Sequence, residues 1–207
     1  MKFDYIFLDY DGPVLDGMDK HYQCYHDIIT EDGGDPLEKD IYWNMKRQKI
    51  SRVTQLEHSN YPKDYNVFLN KWIERIETKK YLNYDILKPD ISNQLSILKS
   101  KCHHLYLVTM RNNRDELINQ LEKLKIYNVF DSVINCSSIN NDSKYNHLKN
   151  TEFKSALIIG DTEEETKTAD KMNIPCIAIT NGIRDPQFLQ AEYYAEDLKD
   201  INWEMIK

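Results

Sequence analysis

Asp9 and Asp11 stand one residue apart, after the apolar run Tyr5-Ile6-Phe7-Leu8 and before Gly12-Pro13. Neighbouring carboxylates repel each other unless a cation or a proton intervenes. Such a pair can hold Mg²⁺, or divide into a nucleophile and an acid/base partner, or do both. Aspartate is also common in solvated turns, and the pair alone does not separate these readings. Further groups lie downstream. Thr109 is followed by Met110-Arg111-Asn112, Lys144 stands alone after a loop, and Gly160-Asp161-Thr162-Glu163-Glu164-Glu165 is rich in acid.

These groups need elements that bring them together. Five short apolar runs read as strands: Tyr5 to Leu8, Leu105 to Val108, Val133-Ile134, Ala156 to Ile159 and Cys176 to Ile179. The last four alternate with helix-like stretches at Arg114 to Lys125, Asp142 to Leu148 and Glu163 to Met172, and Ile91 to Lys101 reads as a helix feeding the second run. Alternation of this kind predicts βαβ units, a mostly parallel sheet and a Rossmann-like α/β core. In such a sheet the strand ends lie on one edge, where ligands bind. Asp9, Asp11, Thr109, Lys144, Asp161 and Glu165 all follow strand ends and converge there.

The interval from Asp19 to Tyr84 differs. It lacks a β-rich run, is broken at Gly33-Gly34-Asp35-Pro36, and has helical spacing at Val67, Trp72, Ile73 and Ile76. It reads as an inserted helical unit. The expected division is a core of residues 1–16 plus 86–207 and a cap of residues 17–85. A domain inserted at that edge is placed to act as a lid.

Composition narrows the class. With 207 residues, 41% hydrophobic and 29% charged, the chain is expected to be soluble and globular. A net charge of −7 gives no basic footprint for nucleic acid. Cys24, Cys102, Cys136 and Cys176 are scattered and fit free thiols in a reducing cytosol. No signal peptide and no membrane span is evident, so a cytoplasmic protein is expected, monomeric or homodimeric.

The ordered set of motifs resembles the haloacid dehalogenase (HAD) superfamily over nearly the whole chain. Asp9-Tyr10-Asp11-Gly12 is similar to its first motif, Thr109 to its second, Lys144 to its third and Gly160 to Glu165 to its fourth. The insertion resembles the small helical cap of phosphoglycolate phosphatase and β-phosphoglucomutase relatives. The resemblance implies a Mg²⁺-dependent phosphatase acting on a small phosphorylated metabolite. Asp9 would be the nucleophile and Asp11 the acid/base. Thr109, Met110 and Lys144 would bind phosphate, and Asp9, Asp11, Asp161 and Glu165 would hold the metal. A sugar phosphomutase and a non-catalytic regulatory protein on the same fold are the alternatives. A dehalogenase needs neither Asp11 nor the metal acids. A phospho-receiver module fits neither the order of the motifs nor the insertion.

Some positions depart from the family pattern or admit plainer readings. Pro13 stands where Thr or Val is usual and brings no N–H. Glu165 stands where Asp is commoner. Lys149 and Lys154 are weaker rivals of Lys144. Lys46, Arg47, Lys49 and Arg52 read most simply as a solvated helix face, with Arg52 and Lys49 as candidates to meet the substrate's remainder. Arg111 could reach the phosphate, or lie on the surface at a helix start. Glu163 and Glu164 favour a helix first turn. His21, His26, His103 and His104 read as structural, Trp43 and Trp72 as cap core, and Trp203 as part of a last packed helix.

Overall fold

In the computed structural model, residues 2–137 and 142–206 are described. The chain opens with strand β1 (Phe3–Leu8) and the short strand β2 (Leu15–Asp16). Helices α1 (Met18–Glu31), α2 (Lys39–Arg47), α3 (Arg52–His58), α4 (Tyr65–Arg75) and α5 (Lys79–Leu82) follow. Strand β3 (Ile86–Leu87) then pairs with β2 in a two-stranded sheet. The remainder alternates: α6 (Ile91–Lys101), β4 (Cys102–Thr109), α7 (Arg114–Lys123), β5 (Ser132–Asn135), α8 (Lys144–Leu148), β6 (Ala156–Gly160), α9 (Glu163–Met172), β7 (Cys176–Ile179) and β8 (Tyr193–Ala195).

The main sheet has six strands in the order β5-β4-β1-β6-β7-β8, and its neighbours run parallel. This is the mostly parallel α/β core read from the sequence. Parallel sheets are covered on both faces, and the strands show it. Ile6, Leu8, Leu105, Leu107, Leu157 and Ile159 enter one apolar layer. Phe7, Val108, Ala156 and Ile158 enter the other. The period-2 alternation of a strand thus divides each apolar run between two layers of helices.

The structure differs from the sequence reading in places. Strand β8 was not anticipated. It has only three residues, lies at the sheet edge and leaves Tyr194 exposed, so no apolar run marks it. Helix α8 begins at Lys144 rather than Asp142, because the Ser143 side chain caps it by accepting from the Asn146 N–H. Trp203 lies in a turn, not in a last helix.

The chain divides into two compact units: Met1–Leu15 with Leu87–Lys207, and Asp16–Ile86. The second unit has its own core, built from Cys24, Tyr25, Ile28 and Ile29 of α1 with Tyr42, Leu56, Phe68 and Trp72. On α4 it is Phe68 and Trp72 that turn inward, while Val67 and Ile73 stay exposed. No helix among the described residues is long and apolar enough to cross a membrane.

Candidate active site

The register of the sheet sets the site. Leu8 at the end of β1 pairs with Leu107 of β4 on one side and with Ile159 of β6 on the other. The three strands therefore end side by side, and the residues at or just past their ends emerge together. They are Asp9, held by its N–H on the Ile159 carbonyl at 2.9 Å, then Thr109, and Asp161 just beyond Gly160. All three side chains sit in buried positions.

Lys144 enters from the first turn of α8. Its ammonium lies 2.6 Å from Asp9 Oδ1 and 2.6 Å from Glu165 Oε1. The Tyr10 N–H also donates to Asp9 Oδ1, at 2.8 Å. Glu165 belongs to α9, where it closes a capping box. Its Oε2 accepts from the Thr162 N–H at 2.9 Å and from the Thr162 hydroxyl at 2.7 Å. One carboxylate thus fixes the start of a helix and, through its other oxygen, the lysine. Glu164 helps from the same turn, accepting the Lys144 N–H at 2.7 Å. Glu163 pairs with Arg184 at 3.0 Å. The acids of the helix start therefore do more than face its dipole.

Asp161 is held by the loop after β7: its Oδ2 accepts from the Ile183 N–H at 2.6 Å. That loop approaches so closely that a Cβ on Gly182 would lie 2.1 Å from Asp161 Oδ2. Gly12 is needed there as well. Its φ of +97° is left-handed, and a Cβ there would lie 2.2 Å from the same oxygen. In the sequence Asn181-Gly182 is an ordinary turn pair, and the close approach of Gly182 to Asp161 carries no sequence signal.

The electrostatics follow from burial. Burial pushes Asp9 up to about 7, with Lys144 opposing and Glu165 adding to the rise. Burial, then the charges of Asp9 and Glu165, raise Asp161 well above the ordinary carboxylate range. Burial works against the Lys144 ammonium, but the two carboxylates beside it outweigh that and hold its pKa up. Asp9, Asp161 and Glu165 bring carboxylate oxygens within 4.8 Å of one another. Against these three acids the cluster sets one ammonium. Asp161 Oδ1 is buried and has no hydrogen-bond partner among the described residues. Hard oxygen donors, excess negative charge and an orphaned buried oxygen fit a divalent cation such as Mg²⁺.

Asp11 stands apart from this cluster. Its carboxylate meets Arg111, with Nε at 2.8 Å and Nη2 at 2.7 Å. Asp11 opens a tight loop in which the Gly12, Val14 and Leu15 N–H groups all bond to backbone carbonyls of Tyr10 or Leu15. Pro13 lies within this loop, whose bonded donors are the N–H groups of its neighbours. Met110 follows Thr109 directly at the end of β4. Arg52 and Lys49 belong to the second unit. The Arg52 guanidinium lies 4.7 Å from the Trp72 ring centroid, and Lys49 is exposed with a φ of 59°.

Known structures share this architecture. A haloacid dehalogenase-like hydrolase from Streptococcus pneumoniae superposes with a TM-score of 0.70 at 20% identity, covering 95% of both chains. A predicted phosphatase from Clostridium acetobutylicum gives 0.71 at 20% identity, covering 94% of both. A predicted phosphoglycolate phosphatase from Haemophilus somnus gives 0.74 at 14% identity, covering 97% of this chain and 96% of that one. At such identities the likeness concerns the fold. No curated protein matches the sequence. The family model of haloacid dehalogenase-like hydrolases matches residues 5–179, a span that runs from β1 to the end of β7 and takes in Asp9, Thr109, Lys144, Asp161 and Glu165. On that match the chain belongs to the haloacid dehalogenase-like hydrolase family.

Proposed function

We propose that this protein is a Mg²⁺-dependent phosphatase that hydrolyses a small phosphorylated metabolite through an aspartyl-phosphate on Asp9. The observation that carries the reading is the buried Asp9 carboxylate, 2.6 Å from the Lys144 ammonium and clustered with Asp161 and Glu165. A carboxylate kept out of water, and paired with a fixed cation, is prepared to attack a phosphoryl group rather than to sit solvated.

Asp9 forms the new oxygen–phosphorus bond as the ester oxygen departs. Asp11 gives that oxygen a proton, and later takes one from the water that cleaves the acyl phosphate. Positioned proton transfer of this kind is worth roughly 10²–10⁴-fold. Lys144 neutralises charge on Asp9 and on the transferring group. The Thr109 hydroxyl and the Met110 N–H donate to phosphate oxygens. Asp9 and Asp161, with Glu165 behind them and the Asp11 carbonyl alongside, are the groups that would hold Mg²⁺. The metal supplies charge neutralisation for the phosphoryl oxygens. Phosphoryl transfer asks a protein mainly for such positioning and charge. Arg52 and Lys49 are candidates to select the rest of the substrate.

Hydrolysis of p-nitrophenyl phosphate tests this. Turnover that needs Mg²⁺, is abolished by EDTA and is lost in Asp9→Asn is expected. Turnover retained in Asp9→Asn would overturn the mechanism.

A further inference from the structure

The guanidinium on Asp11 is a built feature and not a chance surface pair. Arg111 offers Nε and Nη2 as a fork to the two oxygens of Asp11, at 2.8 and 2.7 Å. Two parallel charge-assisted bonds define orientation as well as attraction. The Arg111 side chain is 5% exposed, whereas that of Asp11 is 32% exposed. The arginine is therefore the sunken member, and the carboxylate keeps an accessible side. Beneath the guanidinium lies the fully buried Tyr10 ring, 5.3 Å from centroid to Cζ. The backbone is fixed too. The Arg111 carbonyl accepts from Asn135 Nδ2 at 2.9 Å, at the end of β5. The next residue, Asn112, meets the Ser137 hydroxyl at 3.1 Å. Ring and fork orient the guanidinium, and the Asn135 amide holds the backbone that carries it.

We propose that Arg111 is a positioning residue that locks the Asp11 carboxyl group for its acid/base work. The inference rests on the phosphatase reading. A carboxylate has about four lone-pair sites, and the fork occupies two of them. As the Asp9–phosphorus bond forms and the ester P–O bond breaks, a proton passes from Asp11 to the leaving oxygen. When water attacks, its oxygen bonds to phosphorus, the Asp9–phosphorus bond breaks and its proton passes to Asp11. Both transfers need the same oxygen at the same place, and small misplacements cost rate out of proportion to their size. Arg111 contacts neither substrate nor metal in this scheme. It acts through Asp11.

The test compares two aryl esters of similar shape, p-nitrophenyl phosphate and phenyl phosphate. The phenoxide of the second is the more basic and depends more on a proton donor. In Arg111→Met, kcat/KM is expected to fall at least ~10-fold more on phenyl phosphate than on p-nitrophenyl phosphate, a part of what positioned proton transfer supplies. KM is expected to change little. Asp11→Asn is expected to show the same ester dependence, and Arg111→Met added to it to cost nothing further. Arg111→Lys gives one donor instead of a fork and is expected to fall between; it also serves if the methionine variant does not fold. Equal losses on both esters, or additive losses in the double variant, overturn the positioning role. A rise in KM alone would make Arg111 a phosphate ligand and overturns it too. Wild-type protein that turns over neither ester overturns the phosphatase reading, and this inference with it.

Discussion

Lys144 Nζ lies 2.6 Å from Asp9 Oδ1, and both side chains are buried. The same ammonium lies 2.6 Å from Glu165 Oε1. Removing such charges from water is costly, and each is tolerated only because the others offset its desolvation. The compact ammonium on a flexible stem lets one cation serve two acids, which a planar guanidinium would do less readily. Lys144 is therefore the group on which the charge balance of the cluster depends.

Lys144→Met should remove that balance while keeping an apolar stem in place. Asp9 and Glu165 would be left buried without their cation. Breaking a buried pair from one side costs about 3–5 kcal/mol. Urea unfolding of the metal-free variant is expected to show a loss of that order, together with loss of p-nitrophenyl phosphate turnover. Unchanged stability would mean that the pairs contribute nothing to the fold.

Asp9 also sets a pH dependence. Its pKa is pushed from 3.8 to about 7. The metal-free native state keeps a proton that the unfolded chain has already released. The stabilisation is complete below about pH 4 and is lost as the pH rises through 7. Asp9→Asn has no such loss. In EDTA its melting temperature is expected to exceed that of the wild type by more at pH 8 than at pH 5. Mg²⁺ at pH 8 is expected to raise the wild type more than the variant. A gap that stays constant with pH counts against the buried charge.

Much of this site could be read from the chain because strand ends are legible. An apolar run that stops at Asp9, Thr109 or Gly160 places the next side chain on the sheet edge, and the βαβ order makes those edges coincide. What could not be read depends on loops that meet only in space. Arg111 had two open readings, a reach to the phosphate and a helix-start surface position; the structure turns it onto Asp11, because Asn135 and Tyr10 shape its surroundings. Glu165 was legible as an acid of the candidate site, whereas its grip on Thr162 and Lys144 needed the helix start in place. The edge strand Tyr193–Ala195 has no apolar run because its edge position leaves Tyr194 in solvent.

Gly182 tests how closely the loop after β7 must approach Asp161. A methyl group at this position would fall 2.1 Å from Asp161 Oδ2, and the neighbouring Ile183 N–H already holds that oxygen at 2.6 Å. Gly182→Ala should therefore turn the carboxylate without changing its charge. Loss of a supporting contact to a metal ligand typically costs about 10–100-fold in metal affinity or activity. The Mg²⁺ concentration for half-maximal turnover is expected to rise by that order in the variant. Wild-type Mg²⁺ dependence in Gly182→Ala would show that Asp161 is free to move, or that it does not hold the metal.

The inserted unit has its own buried charge. Lys20 Nζ lies 3.0 Å from Asp85 Oδ2, with side chains 3% and 0% exposed, and the two residues are 65 positions apart. Lys20 is in the first turn of α1, and Asp85 immediately precedes β3, so the pair ties together the two ends of the unit Asp16–Ile86. Lys20→Met leaves the carboxylate buried without its cation and should cost about 3–5 kcal/mol, whereas apolar replacement of both partners is often neutral. Protease cleavage within residues 16–86 is expected to accelerate in Lys20→Met and to return towards the wild-type rate in Lys20→Met with Asp85→Leu. Equal acceleration in both variants would show that packing around Lys20, and not its charge, closes the unit.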